Sequence, residues 1–200
     1  MYPIIKRLFD IGASAAGLLV LSPLLLFLAA WIRMDSPGSV LYAAPRVGRG
    51  GRLFRMYKFR TMVANADCIG GSSTPDDDPR ITGAGRWLRR YKLDELPQLL
   101  NVLNGTMSLV GPRPQVKWAV ELYTPEQREV LTVPPGITDY ASIHFPNEGE
   151  LLRGSTDPDR DYMEKIHPEK MRLSLEYVRH RSLGTDLAVL ARTFAAVFRS

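Results

Sequence analysis

The 200-residue chain has one cysteine, Cys68, and three scattered histidines, His144, His167 and His180. A single thiol excludes an internal disulfide and a zinc site built on several thiolates, and it suits a reducing compartment. A catalytic thiol needs a basic partner, which the sequence does not set beside Cys68. The histidines lack ligand spacing and read as surface or structural residues. Internal repeats and long low-complexity tracts are also lacking, and the length fits one domain.

Charge is lacking from Ile11 to Ile32. These 22 residues, at ~1.5 Å rise, make a helix of ~33 Å, about the thickness of a hydrocarbon core. The stretch is too long for a cleaved signal peptide and has no small-residue cleavage site before Arg33. Ser22-Pro23 lies mid-block, where proline removes a backbone donor and favours a bend, and serine can bond the freed carbonyl. Both flanks are basic, with Lys6 and Arg7 before and Arg33 after, and basic flanks prefer the cytoplasm. A kinked helix that enters and returns to one side reconciles them, while a straight span with a mid-helix proline stays open. Trp31 sits where an interfacial ring belongs.

The 45% apolar content is unevenly spread and densest in that block. Elsewhere, 26 Lys+Arg against 21 Asp+Glu give a net charge of +5, which favours nucleic acid, phosphorylated ligands or acidic headgroups without choosing among them. Segments 39–43 and 52–60 flank the glycine-rich run 46–51 and predict a β-hairpin. Residues 65–84, with Gly70-Gly71, Pro75 and Asp76-Asp77-Asp78, predict a mobile loop. Leu96, Leu99, Leu100 and Leu103 predict a short helix from Asp94 to Gly105. Thr124-Pro125 and Pro168-Glu169 open two more helices, the second reaching Arg181. A last helix over 183–198 aligns Leu183, Leu187, Leu190, Phe194 and Val197 near Arg192 and Arg199. That stripe suits a membrane surface and core packing equally. Met56 and Met62 read as core. The acids Asp76 to Asp78, Asp157, Asp159 and Asp161 read as solvated loop residues.

Asp94-Glu95 follows Arg86, Arg89, Arg90 and Lys92. Acids at a helix start are favoured by its dipole and need no further purpose. A second set of cations gives them one: Lys58-Phe59-Arg60 ends the hairpin and Arg113 lies in Gly111-Pro112-Arg113-Pro114. Arginine forks match phosphate, two carboxylates can hold Mg²⁺, and a carboxylate can attack phosphorus. Together these are ingredients for phosphoryl transfer on a diphosphate.

The chain resembles the bacterial sugar transferases, the monotopic phosphoglycosyl transferases, over nearly its whole length. The resemblance rests on Lys6-Arg7-Leu8-Phe9-Asp10, Ser22-Pro23, Tyr57-Lys58-Phe59-Arg60-Thr61-Met62, Leu93-Asp94-Glu95-Leu96-Pro97-Gln98, Met107-Ser108-Leu109-Val110-Gly111-Pro112-Arg113-Pro114 and Pro135-Gly136-Ile137-Thr138. It implies a mainly helical α+β fold: a re-entrant membrane helix over 1–35, kinked at Ser22-Pro23, and a cytoplasmic catalytic domain over 36–200 with a small β-hairpin and short amphipathic interfacial helices. The location implied is the cytoplasmic face of the bacterial inner membrane.

The implied activity is transfer of a sugar-1-phosphate from a UDP-sugar to undecaprenyl phosphate, releasing UMP and initiating glycoconjugate or polysaccharide synthesis. Asp94 is the implied nucleophile and forms a covalent phosphosugar intermediate, with Glu95 and Mg²⁺ assisting. Lys58, Arg60, Arg89 and Arg113 are the implied phosphate or nucleotide contacts, with Asp186 a polar partner on the last helix. Nucleic acid is not an implied partner, and a homodimer is allowed. The chain has no room for the extra N-terminal spans of larger relatives and reads as a minimal catalytic form.

After Thr138, many relatives continue with Ala-Gln-Val-Asn-Gly-Arg one residue on, whereas this chain reads Asp139-Tyr140-Ala141-Ser142-Ile143-His144-Phe145. That segment is a candidate for sugar or uridine selection, so the sugar is left open, with Asp139 equally readable as a solvated loop acid. Two other functions compete: a Mg²⁺-dependent phosphatase or diphosphatase on lipid-linked substrates, and a membrane-tethered nucleic-acid binder. The binder leaves Asp94-Glu95 unexplained, because acids would repel phosphate.

Overall fold

The computed structural model describes residues 1–197. Helix α1 (Tyr2–Asp35) is helical throughout, including Pro23, and ends where Ser36 turns extended before Gly38 at φ +119°. Pro23 cannot bond the carbonyl four residues back, that of Leu19, and the Ser22 hydroxyl donates to it instead at 2.8 Å. The helix is long and apolar enough to cross a membrane, and only 11% of its most apolar stretch is buried against protein.

Both ends of α1 dock on the rest of the chain. Near the start, Lys6 pairs with Asp186 at 2.9 Å, Arg7 donates to the Leu103 carbonyl at 2.9 Å and Asp10 is buried. Near the end, Leu28 and Ile32 pack with Phe59 and Leu88. Leu19, Val20, Leu26 and Phe27 between them face outward.

Strands β1 (Leu41–Val47) and β2 (Leu53–Phe59) form the expected antiparallel hairpin, pairing Tyr42 with Lys58 and Arg46 with Phe54. Gly50 and Gly51 have positive φ in the connecting turn. Helix α2 (Gly83–Arg90), capped by Thr82, was not anticipated; its Trp87 stacks between Trp31 and Tyr91. Then come α3 (Gln98–Leu103), β3 (Ser108–Val110), α4 (Lys117–Glu121), β4 (Gly136–Thr138), α5 (Tyr140–His144), α6 (Glu148–Leu151) and α7 (Pro158–Asp161). A π-type turn, Tyr162–Ile166, leads into α8 (His167–His180), and α9 (Leu183–Val197) follows. The helix expected from Thr124-Pro125 is a 3-10 turn over Gln127–Thr132, with Thr124 and Gln127 capping each other reciprocally.

Strands β3 and β4 pair in parallel. There the two glycine motifs cross so closely that a Cβ on Gly136 would strike the Gly111 backbone. Beneath them, Val110, Val133, Tyr177, Val178 and Val189 form a core. Met56 is buried and Met62 partly so. On α9, Leu190 packs against the Val110 core, whereas Leu183, Leu187 and Phe194 are exposed, so the stripe divides. Phe198 and Arg199, expected to extend it, lie outside the described residues, as does the Val197 side chain.

The loop expected to be mobile is pinned. Asp159 accepts from the Ser72 and Ser73 amides at 3.1 and 2.7 Å, and Arg80 pairs with Asp78 at 2.7 Å. Two acids read as solvated, Asp78 and Asp159, are therefore bonded, Asp78 to its neighbour Arg80 and Asp159 to partners that no local pattern indicates.

Candidate active site

Lys92, in the left-handed region at φ 55°, turns the chain into a 3-10 turn, Leu93–Glu95. Pro97 lacks the donor a helix interior needs, so α3 starts at Gln98 and the Asp94-Glu95 dyad precedes it rather than opening it. Gly105 at φ +84° ends the segment as expected.

The two carboxylates have different surroundings. Glu95 is held on both oxygens: Arg113 Nη1 donates to Oε2 at 2.8 Å, Arg113 Nη2 donates to Oε1, and Lys58 Nζ reaches Oε1 at 3.0 Å. Asp94 is 7% exposed, and among the described residues its carboxylate accepts no hydrogen bond; the nearest cation is Lys58, 3.6 Å away. Burial raises the Asp94 pKa above its ordinary value, with Lys58 opposing and the Glu95 charge adding to the rise. Burial acts the same way on Glu95, yet Arg113 and Lys58 outweigh it and hold that carboxyl well below the usual range. Glu95 is thus a fixed anion orienting two cations, and Asp94 is a buried carboxylate with open oxygens.

The backbone sets these side chains. Lys58 faces the dyad because alternate strand residues share a face. The Arg113 amide donates to Asp139 Oδ2 at 3.2 Å, and its Nη1 donates to the Ile137 carbonyl at 3.2 Å. Asp139 is fully buried and also caps α5, accepting from the Ser142 amide at 2.7 Å. Its reading as a solvated loop acid is therefore replaced by a brace beneath Arg113. Arg89, on α2, donates to the Thr74 carbonyl at 3.2 Å, and its charge acts on Asp94.

Five sequence candidates thus assemble: Asp94, Glu95, Lys58, Arg89 and Arg113. Two do not. Arg60, 8% exposed, donates to the Ser36 carbonyl at 2.7 Å and to the Pro37 carbonyl, capping α1. Carbonyls freed by a helix end attract a guanidinium as phosphate does, and the motif alone does not separate the two. Asp186 accepts from Tyr2, Lys6 and Tyr177 at 3.0, 2.9 and 2.7 Å, joining α1 to α8 and α9. Sequence reasoning passed over Arg46, Gln115 and Tyr162, which lie beside Arg113. The hairpin register, which sets Arg46 on the Lys58 face, was the available signal.

Among the described residues no group of three or more His, Cys, Asp or Glu could hold a metal. The open oxygens of Asp94 still fit Mg²⁺ as a partial ligand set, because that ion commonly takes one or two carboxylates and fills its shell with water and phosphate.

The bacterial sugar transferase family model matches residues 1–200. The chain belongs to the bacterial sugar transferase family. It is 41% identical over 195 residues to the undecaprenyl-phosphate glucose phosphotransferase of Komagataeibacter xylinus, covering 94% of this chain and 35% of that relative. It is 37% identical over 211 residues to the undecaprenyl-phosphate galactose phosphotransferase of Salmonella typhimurium, covering 98% and 40%. With the exopolysaccharide production protein PSS of Rhizobium leguminosarum it shares 39% identity over 197 residues, covering 95% and 93%. This family member therefore spans less than half of two of these relatives and nearly all of the third.

Proposed function

We propose that the chain transfers a sugar-1-phosphate from a UDP-sugar to undecaprenyl phosphate, and that Asp94 carries the phosphosugar between them. The observation that carries this reading is the contrast within the dyad: Glu95 bonded on both oxygens, Asp94 buried with open ones. An Asp94 oxygen bonds to the sugar-bearing phosphorus, the bridging P–O bond breaks, and its electron pair leaves with UMP. Undecaprenyl phosphate then attacks the same phosphorus and frees Asp94. Lys58, Arg89 and Arg113 offset the charge gathered when a carboxylate meets a diphosphate. Mg²⁺, held by Asp94 with the substrate phosphates, would supply the same neutralisation.

Residues 36–200 act in this reading as the catalytic domain on the cytoplasmic face, with α1 as a monotopic anchor. Docking of both ends of α1 on one protein body supports a helix that enters and leaves on the same side, as Lys6 bound to Asp186 and Ile32 packed on Phe59 illustrate. The exposed apolar middle suits lipid.

The test is UMP release from a panel of UDP-sugars by purified protein with undecaprenyl phosphate and Mg²⁺, for wild type and Asp94→Asn. Lipid-linked sugar formed by wild type and lost in Asp94→Asn supports the transferase. Free sugar phosphate formed without lipid product would transfer the reading to a phosphatase.

A further inference from the structure

Among the described residues Arg46 has no ion-pair partner. It stands on β1, on the same hairpin face as Lys58, with Ala44 between its register position and that of Tyr42. Its side chain is only partly exposed, and Nη1 donates to the carbonyl of its own neighbour Pro45 at 2.9 Å. Among the described residues no carboxylate lies within ion-pair distance of it; the ion pairs nearest this site join Lys58 and Arg113 to the dyad. Asp67, an acid in its neighbourhood, receives the Tyr42 hydroxyl at 3.0 Å. Burial lowers the Arg46 pKa and the like charge of Arg113 adds to this, while Tyr42, Asp67 and Tyr162 oppose it.

The backbone beside this arginine is fixed in place. The Val47 amide, next along the strand, donates to the Gln115 carbonyl at 2.9 Å, stitching β1 to the segment after Arg113. The Gln115 side chain donates to the Tyr162 hydroxyl at 2.9 Å. Lys170, 5% exposed, points its ammonium over the Tyr162 ring at 5.3 Å and pairs with Glu148 at 2.7 Å, so the cation behind Tyr162 is already neutralised. Among the described residues Arg46, like Arg89, has no ion-pair partner and can receive an incoming anion. Desolvating a guanidinium beside a second one is costly unless an anion completes the site.

We propose that Arg46 binds the phosphate that departs with the nucleotide, the second phosphate of the diphosphate whose first is attacked by Asp94. This rests on the transferase reading and deepens it. Lys58 and Arg113 are tied to the dyad and serve the phosphorus under attack, whereas Arg46, on the Lys58 face of the hairpin and within reach of the Arg113 charge, serves the leaving side. When the bridging P–O bond breaks, its electron pair settles on the UMP phosphate. Arg46 donates hydrogen bonds there and gives up no proton. Tyr162 and Gln115 line the same side with polar atoms.

The experiment measures UMP and UDP affinity by equilibrium binding, and steady-state kinetics with separate variation of UDP-sugar and undecaprenyl phosphate, for full-length wild type, Arg46→Gln and Arg46→Lys. Thermal unfolding in detergent identifies any misfolded variant, and Arg46→Lys keeps the charge if Arg46→Gln does not fold. Arg46→Gln is expected to lose roughly ten- to hundred-fold in UMP affinity and in kcat/KM for UDP-sugar, the scale of a charge-assisted hydrogen bond. The KM for undecaprenyl phosphate stays unchanged, and Arg46→Lys recovers part of the loss. A folded Arg46→Gln that binds UMP as wild type does, while wild type turns over UDP-sugar, overturns the Arg46 assignment and leaves the transferase standing. Wild type that binds UMP through Arg46 yet releases none from any UDP-sugar keeps the assignment and sinks the transferase reading.

Discussion

Asp10 accepts the hydroxyl proton of Ser108 across 2.7 Å, with the two residues 3% and 1% exposed. The same carboxylate accepts from the Leu109 amide at 3.2 Å, tying α1 to the strand that leads into Gly111-Pro112-Arg113. Asp10→Ala leaves the partly buried Leu109 amide without its acceptor and the Ser108 hydroxyl with the Val110 carbonyl alone, and is expected to cost about 1–3 kcal/mol of stability. Denaturation in detergent micelles measures it, and an unchanged midpoint would mean that the contact contributes nothing.

Asp94 and Glu95 separate in mutants because only one has open oxygens. Asp94→Asn removes the proposed nucleophile, and UMP release should fall by roughly a thousand-fold or more. Glu95→Gln leaves the proposed nucleophile in place but frees Arg113 and Lys58, for a loss of roughly a hundred-fold. Mass spectrometry of protein quenched with UDP-sugar should find the phosphosugar adduct in Glu95→Gln and none in Asp94→Asn. An adduct on Asp94→Asn would remove Asp94 from the role given to it.

Arg60 should register in stability rather than substrate affinity. Arg60→Ala leaves the Ser36 and Pro37 carbonyls at the end of α1 without their donor, at about 2–3 kcal/mol. The KM for UDP-sugar of the folded fraction is expected to match wild type. A raised KM at full stability would return Arg60 to the binding site.

Gly136→Ala drives a methyl into the Gly111 backbone, which cannot turn aside as a side chain could. The expected cost is about 1–3 kcal/mol or more. Gly111→Ala meets the Pro134 carbonyl oxygen at 2.6 Å and should behave alike. A thermal shift near zero in either variant would show that the crossing can relax.

Acid should release the 65–84 loop. Burial opposes the charge on Asp159, but the Ser72 and Ser73 donors outweigh it and bring the pKa below its ordinary value. Asp78 is lowered too, chiefly by its hydrogen bond to Arg80. A lowered carboxyl stabilises above its unfolded pKa of about 4 and loses that contribution as pH falls through its folded value. Hydrogen exchange across residues 65–84 should therefore accelerate below pH ~4, and Asp159→Asn should reproduce part of this at neutral pH. Exchange independent of pH after correction for the intrinsic rate would contradict the tether.

The sequence readily discloses what is local. Alternation and glycines mark the hairpin, Pro168-Glu169 marks α8, and the clustered motifs gather Asp94, Glu95, Lys58 and Arg113. It hides what depends on distant partners. Asp159 finds Ser72 and Ser73 86 or 87 residues away, and no pattern near either predicts the other. Arg60 and Lys58 share one motif and a two-residue spacing that would place them on one strand face, yet β2 ends at Phe59 and Arg60 turns to the end of α1 while Lys58 reaches the dyad. Helix α2 begins Gly83-Ala84-Gly85, a composition that argues for a loop, and packing of Leu88 against Ile32 and Phe59 overrides it.

The uncharged stretch of α1 and the shared docking of its two ends also bear on voltage. A transmembrane potential does work of ~2.3 kcal/mol per charge per 100 mV only on charges that lie within the field or cross it. Between Ile11 and Ile32 there are none, and Lys6 and Arg33 at the ends belong to one protein surface. With α1 seated from one side, as proposed, the chain would be electrically silent, and the proposed turnover in vesicles is expected to be indifferent to an imposed potential.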